Sequence, residues 1–334
     1  MNLKELFISF GYTEEAYEKI KTNYAVTDLK DEQLANKLKE NFAALKALGY
    51  TDTEIIKMTA DSPRIYSLLA NTIEEKFNFL LSLGYSKKSV IHITKSFPII
   101  YSSSIKTIKQ KIDDFISLGY TKEEVLKMSK FSPQIYSYSI DNIKSKINDL
   151  MTLGYTKEEI LKITKNIPSI YSHSIENIKG KLDNLISLGY SKIEVLDITT
   201  KYPAIFCLYP ESLKQRHEYL INLGYTNEEI IKIIITLPSI YGMSEENISE
   251  KKAFYDSIGL NDLLRVSPQR FIQSTSLSYA RYMLYKSRGL EINMDNYYKL
   301  FINNTQFEKR YGITKEEVLK MYPYESEKKH GRTI

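Results

Sequence analysis

The sequence predicts an all-α solenoid, a right- or left-handed superhelix of 35-residue units, each built as helix, short 3₁₀ helix, helix. Three observations predict it. Glycines at Gly49, Gly84, Gly119, Gly154, Gly189, Gly224 and Gly259 fall at a constant step of 35. Prolines at Pro63, Pro98, Pro133, Pro168, Pro203 and Pro238 keep the same step. Strand signals are missing, since neither valine-rich alternation nor Asn-Gly or Asp-Gly hairpin turns occur. A fixed period of roughly 20 to 50 residues means one supersecondary unit stacked on copies of itself. The 334 residues, which length alone would divide into about two domains, therefore read as one array.

Each element of a unit has a local cause. The glycine follows a leucine that closes an apolar-periodic segment, where a residue free to take positive φ caps a helix. Two positions on stands Thr51, Ser86, Thr121, Thr156, Ser191 or Thr226, and three further Glu54, Glu124, Glu159, Glu194 or Glu229. That is the spacing of a capping box, with Ser89 the exception. The intervening Tyr50, Tyr85, Tyr120, Tyr155, Tyr190 or Tyr225 lies five positions before Ile55, Val90, Val125, Ile160, Val195 or Ile230, as in a hydrophobic staple. A helix of about ten residues then runs to the proline, which breaks it and suits the first turn of a short 3₁₀ helix over Pro-x-Ile-Tyr-Ser. Ser104, Ser139, Ser174 and Ser244 are placed to cap the second long helix. Its stripe, Ile143, Ile147, Leu150 and Met151 in one unit, has helical spacing.

The ends depart from the pattern. Residues 1–48, with Gly11 but no proline, read as a degenerate capping unit, and 49–258 hold six full units. Residues 259–289 are a shortened seventh unit, 290–323 a helical cap in which "GITKEEVLKMYP" echoes a unit start, and 324–334 a polar, disordered tail.

Composition narrows the function. A net charge of +5 and a pI near 8.8 permit a polyanionic partner. The lone Cys207 offers no intramolecular disulfide, which points to a reducing, intracellular setting. The expectation is cytoplasm or nucleoid for a bacterial protein, and the mitochondrion for a processed organellar one. No apolar run reaches the ~20 residues of a membrane helix. His92, His173, His217 and His330 stand singly, and no phosphate-binding glycine loop, nucleophile elbow or His-Glu-x-x-His motif occurs. Neither catalysis, cofactor nor metal is expected.

The candidate binding positions recur with the unit. Twenty-seven residues after each glycine stand Lys76, Lys111, Lys146, Lys181, Arg216 and Lys251, and Arg281 keeps the same distance from its proline in the seventh unit. On a helix this position leaves at the edge of the packed face, so stacking is expected to turn single cations into a row. Lys109, Lys144, Lys179 and Lys214, two residues earlier, lie on the opposite flank. The alternative is that these side chains snorkel over apolar surface or pair with a carboxylate of the next unit. Against it stands the constancy of sign, and Asn41 in the same register of the first unit suggests that packing requires no cation there. Residues 84–188 hold 16 lysines against 10 acidic residues, a surplus of 6 that leaves the rest of the chain at −1. Tyr66, Tyr101, Tyr136, Tyr171, Phe206 and Tyr241 form a further series, read as core filling rather than base stacking.

The unit "LGYTKEEVLKMSKFSPQIYSYSIDNIKSKINDLMTLGY", Leu118 to Tyr155, with its Leu-Gly-aromatic-Thr start, capping Glu, central proline and late lysine, resembles the repeat of the mitochondrial transcription termination factor (mTERF) family. The resemblance covers about residues 49–289. It implies a curved superhelix whose basic concave path binds nucleic acid, typically duplex DNA and in some members RNA, in transcription, termination or RNA maturation. By register the path would consist of Lys76, Lys111, Lys146, Lys181, Arg216, Lys251 and Arg281. The partner expected is therefore nucleic acid, double-stranded DNA before RNA, bound by a monomer with no membrane contact. A helical-repeat scaffold for a protein partner, or a bacterial effector using the same groove, is the other class of reading.

Overall fold

The computed structural model describes residues 2–325. Among them every regular element is an α-helix or a 3₁₀ helix, and the chain is an all-α repeat solenoid. Two compact parts divide between Ile175 and Glu176.

The unit from Lys122 shows the repeated order. A helix spans Lys122–Phe131, a 3₁₀ helix Pro133–Ser137, and a second α-helix Ile140–Leu153. Thr121 caps the first by accepting the Glu124 amide, while the Glu124 carboxylate accepts the Thr121 amide. The same reciprocal box opens the first helices at Thr51, Thr156, Ser191 and Thr226. Gly154 ends the second helix at φ 114°, and Gly119 closes its predecessor at φ 113°. A side chain there would be strained, and at Gly119 a Cβ would also stand 3.3 Å from Leu161 Cδ1. Tyr50 and Ile55, at the spacing of the staple, are both buried.

Successive units are tied by side chains of the first helices. In the first part, Lys95 Nζ lies 2.8 Å from Glu54 Oε1 and Lys165 Nζ 2.9 Å from Glu124 Oε1. Both carboxyls are held below their ordinary range, Glu54 chiefly by Lys95 and Glu124 chiefly by its bond to the Thr121 backbone. Lys130 occupies the equivalent site opposite Ser89 and rests instead over the Tyr85 ring, 5.9 Å from its centre. Ser89→Glu should supply both the missing half of a capping box and a carboxylate for Lys130. The expected gain is about 0.5 kcal/mol, read as a rise of about 1–2 °C in melting temperature, and in Lys130→Ala only the capping share of it should remain.

The end segments vary the order. Residues 3–48 form helices Leu3–Ser9, Glu14–Lys21 and Asp31–Leu48. In the seventh unit the first helix shrinks to one turn, Leu263–Val266, before Pro268–Ile272 and Thr275–Ser287. A 3₁₀ helix, Tyr297–Phe301, then precedes Asn304–Tyr311 and Lys315–Met321. Of the segment read as a tail, residues 326–334 lie outside the described residues. Tyr324 is packed, its ring centre 5.2 Å from Tyr279 and 6.0 Å from Phe254.

Candidate nucleic-acid interface

The cations 27 positions after the glycine do not leave the packed face for solvent. Lys76 is 9% exposed, Lys251 7% and Arg281 2%. Each reaches the end of the next 3₁₀ helix, where carbonyls lack partners of their own. Lys76 Nζ donates to the Tyr101 carbonyl, Lys111 Nζ to that of Tyr138 at 2.6 Å, and Lys181 Nζ to that of Leu208 at 2.7 Å. Lys251 Nζ donates to the Gln273 carbonyl, with Thr275 Oγ1 at 3.3 Å. Arg281 Nη1 donates to the carbonyls of Leu300 and Ile302 at 2.9 and 2.6 Å. A positive group at a helix C-terminus gains from both the free carbonyls and the dipole. Desolvation lowers the pKa of Lys76, Lys181, Lys251 and Arg281.

Asn41 supplies the explanation of the series. Its Nδ2 donates to the carbonyls of Ile65 and Leu68 at 2.9 and 3.3 Å, the same site in the first unit. What the position requires is an N–H donor of sufficient reach, and charge follows because lysine and arginine provide it. The geometric expectation of an outward row is thereby corrected for Lys76, Lys251 and Arg281. Lys146 and Arg216 differ in partners: Lys146 lies 3.8 Å from Asp149, and Arg216 lies 3.6 Å from Glu245 with its plane 5.7 Å from the Tyr219 ring. Both side chains are only 13% exposed.

Lys109, Lys144, Lys179 and Lys214 are the exposed members of the two sequence-predicted series. Lys109 stands 5.5 Å from the centre of the Phe79 ring, and Lys214 lies 3.8 Å from Glu218. Among the described residues neither Lys144 nor Lys179 has an ion-pair partner. Lys109 and Lys144 repeat at one register in the first part of the chain, Lys179 and Lys214 in the second.

The tyrosines do not line this surface. Tyr50 joins Thr94 and Tyr101 through its hydroxyl, with the Tyr101 oxygen at 2.8 Å. Tyr85 joins Ser129 and Tyr136, and Tyr120 joins Thr164 and Tyr171, each tyrosine pair at 2.6 Å. Tyr12 meets Thr59 and Tyr66 in the same way, and Tyr190 meets Tyr241 at 3.0 Å. These are buried hydroxyl clusters between units. The recurring Thr or Ser ten positions after the glycine was their overlooked signal, a polar residue on an otherwise apolar stripe.

A model of the mTERF family matches residues 2–152 and again residues 141–258. The chain belongs to the mTERF family. The two matched stretches overlap, as a repeat array allows when a model restarts on a later copy of the same unit. No curated protein matched the chain. The mTERF family comprises helical-repeat proteins that bind nucleic acid and are generally not enzymes. In this mTERF chain, no helix among the described residues is long and apolar enough to cross a membrane.

Proposed function

We propose that this mTERF protein grips the nucleic-acid backbone, duplex DNA before RNA, through exposed lysines repeated once per unit, and acts in transcription regulation or termination. The observation that carries the reading is the division of labour between two registers of one helix. Lys76, Lys111, Lys181, Lys251 and Arg281 spend their donors on carbonyls of the next unit. Lys109, Lys144, Lys179 and Lys214 remain exposed. A lysine ammonium is a point charge suited to phosphate contact and carries no base code by itself, so modest sequence preference follows. The surplus of 6 positive charges in residues 84–188 strengthens the attraction.

Salt dependence measures how many cations engage. Four phosphates predict a log–log slope of affinity on salt of about −4 on duplex DNA, whereas engagement of the seven inward-turned positions would give about −6. Changing Lys109, Lys144, Lys179 and Lys214 together to Ala should weaken binding to every sequence alike and bring the slope close to zero, with the melting temperature retained. A flat salt response in the unaltered protein, or unchanged binding by the fourfold variant, would remove the proposal; tight capture of a protein partner under those conditions would favour the scaffold.

A further inference from the structure

The second part of the chain carries a cleft of about 580 Å³ walled by the helices Glu245–Ser257 and Thr275–Ser287 and by Tyr324. Among the described residues its lining holds the carboxylates of Glu246, Glu250 and Glu325, and a single cation, Lys286. The four units before the one that starts at Gly224 show how the space arises. Ser249 stands in the register of Lys109, Lys144, Lys179 and Lys214, and Ala253 in that of Asp113, Asn148, Asp183 and Glu218. Two long polar side chains, neighbours on one helix face, are thus replaced by short ones. Glu250 takes the register of Gln110, Ser145, Gly180 and Gln215, so the exposed-lysine series stops where the charge reverses.

Aromatic rings provide the second, independent sign. Phe254, Tyr279 and Tyr324 all line the cleft, with centres 6.1 Å apart for Phe254 and Tyr279, 6.0 Å for Phe254 and Tyr324, and 5.2 Å for Tyr279 and Tyr324. Tyr279 and Tyr324 are half-buried rather than sealed in the core. The face of such a ring carries negative potential and attracts a cation that comes within about 6 Å of its centre. Glu250 is also half-buried, and among the described residues it has no ion-pair partner. A carboxylate drawn partly out of water without a counter-charge is costly, and an incoming cation relieves that cost. Three carboxylates against one ammonium leave the lining at −2, within a chain whose total is +5.

We infer that this cleft receives a basic side chain, arginine before lysine, from a protein partner. The rings supply a face on which a guanidinium stacks, and the carboxylates supply acceptors that its planar fork matches. Volume agrees, since pockets for small ligands run from about 300 to 1,000 Å³ and this one admits a long side chain with the peptide that flanks it. The inference does not rest on the exposed-lysine reading. The lysines suit a polyanion, whereas the cleft repels phosphate and suits a cation, so either reading can fail alone.

The test uses the full chain and a fluorescent peptide of alternating arginine and glycine, with glutamine in place of arginine as the control, read by anisotropy. The arginine peptide should bind about tenfold more tightly than the control or better. Glu250→Gln keeps the shape and removes the charge; it should weaken the peptide about tenfold with the melting temperature retained. Tyr279→Leu keeps apolar bulk without the ring and should weaken it about threefold. Lys286→Ala removes the opposing charge and should tighten it. Ser249→Lys restores the cation of the neighbouring units and should abolish binding while the helix stays intact. Arginine and glutamine peptides that bind alike, or undiminished binding by Glu250→Gln and Ser249→Lys, would overturn the inference. Spermidine binding the cleft more tightly than the peptide would assign it to a free small cation and overturn the protein partner.

Discussion

Raising the pH to about 11 should unfold the first part of the protein in one steep transition, with tyrosinate absorbance appearing together with the loss of helical circular dichroism. Tyr12, Tyr66, Tyr50, Tyr101, Tyr85, Tyr136, Tyr120 and Tyr171 make four hydroxyl clusters there. Burial raises the pKa of each; for Tyr50 it reaches about 12. A phenol whose pKa is higher folded than unfolded contributes stability that is complete below the unfolded value, about 10, and is lost as pH climbs toward the folded value. Above pH 10 the unfolded chain gives up protons that the folded chain must keep. Each tyrosine whose pKa is pushed far up then costs about 1.4 kcal/mol per pH unit, so Tyr50, Tyr66, Tyr85, Tyr101 and Tyr120 together approach about 7 kcal/mol at pH 11, comparable to the whole stability of an ordinary domain. Lys76 acts in the opposite sense, because its lowered pKa makes folding more favourable as pH rises toward about 10.4; one lysine against eight phenols does not reverse the outcome. Replacing Tyr50 and Tyr101 together by Phe should move the midpoint upward, since Thr94 keeps its bond to the Val90 carbonyl at 2.8 Å. Smooth titration of these tyrosines near pH 10 with the helical signal intact would refute the account.

The clusters also show where the sequence is readable and where it is not. Gly119 as a cap, Thr121 with Glu124 as a box and Pro133 as a 3₁₀ start are legible because cause and effect lie within a few residues. Membership of the mTERF family is legible for the same reason, as those local signals recur in register. The Tyr50–Thr94–Tyr101 cluster joins residues 44 and 51 positions apart; the period places them on adjacent units, but only the packed structure brings their oxygens together. For the seven-cation series the obstacle is chemical. For Lys76, Lys111, Lys181, Lys251 and Arg281 the acceptors are main-chain carbonyls, which every residue possesses and no sequence letter displays, so a structural donor and a phosphate-binding lysine look alike. Asn41 held the distinguishing signal: a neutral donor in register is compatible with clamping a carbonyl and contributes no charge to a phosphate path.

The clamp has its largest expected energetic effect at Arg281. Arg281→Ala removes three donated bonds and a guanidinium that lies 4.4 Å from the centre of the Phe307 ring. It strands the Leu300 and Ile302 carbonyls at the end of the 3₁₀ helix Tyr297–Phe301 and leaves a cavity in place of a nearly fully buried side chain. Lost packing and unmet carbonyls together should cost about 4 kcal/mol, offset in part because an unpaired cation no longer has to be desolvated. The substitutions that separate these contributions form a series. Arg281→Met fills the volume without a donor and should recover only the packing share, whereas Arg281→Lys restores one donor and should cost about 1–2 kcal/mol. In a repeat array stability is set by nearest neighbours, so amide exchange in the Ala variant should quicken over residues 290–321 while the units before Gly259 stay protected. If the Ala variant melts with the unaltered protein and its last helices exchange no faster, Arg281 does not hold the cap, and the reading of the whole register as a donor to the next 3₁₀ helix loses its strongest instance.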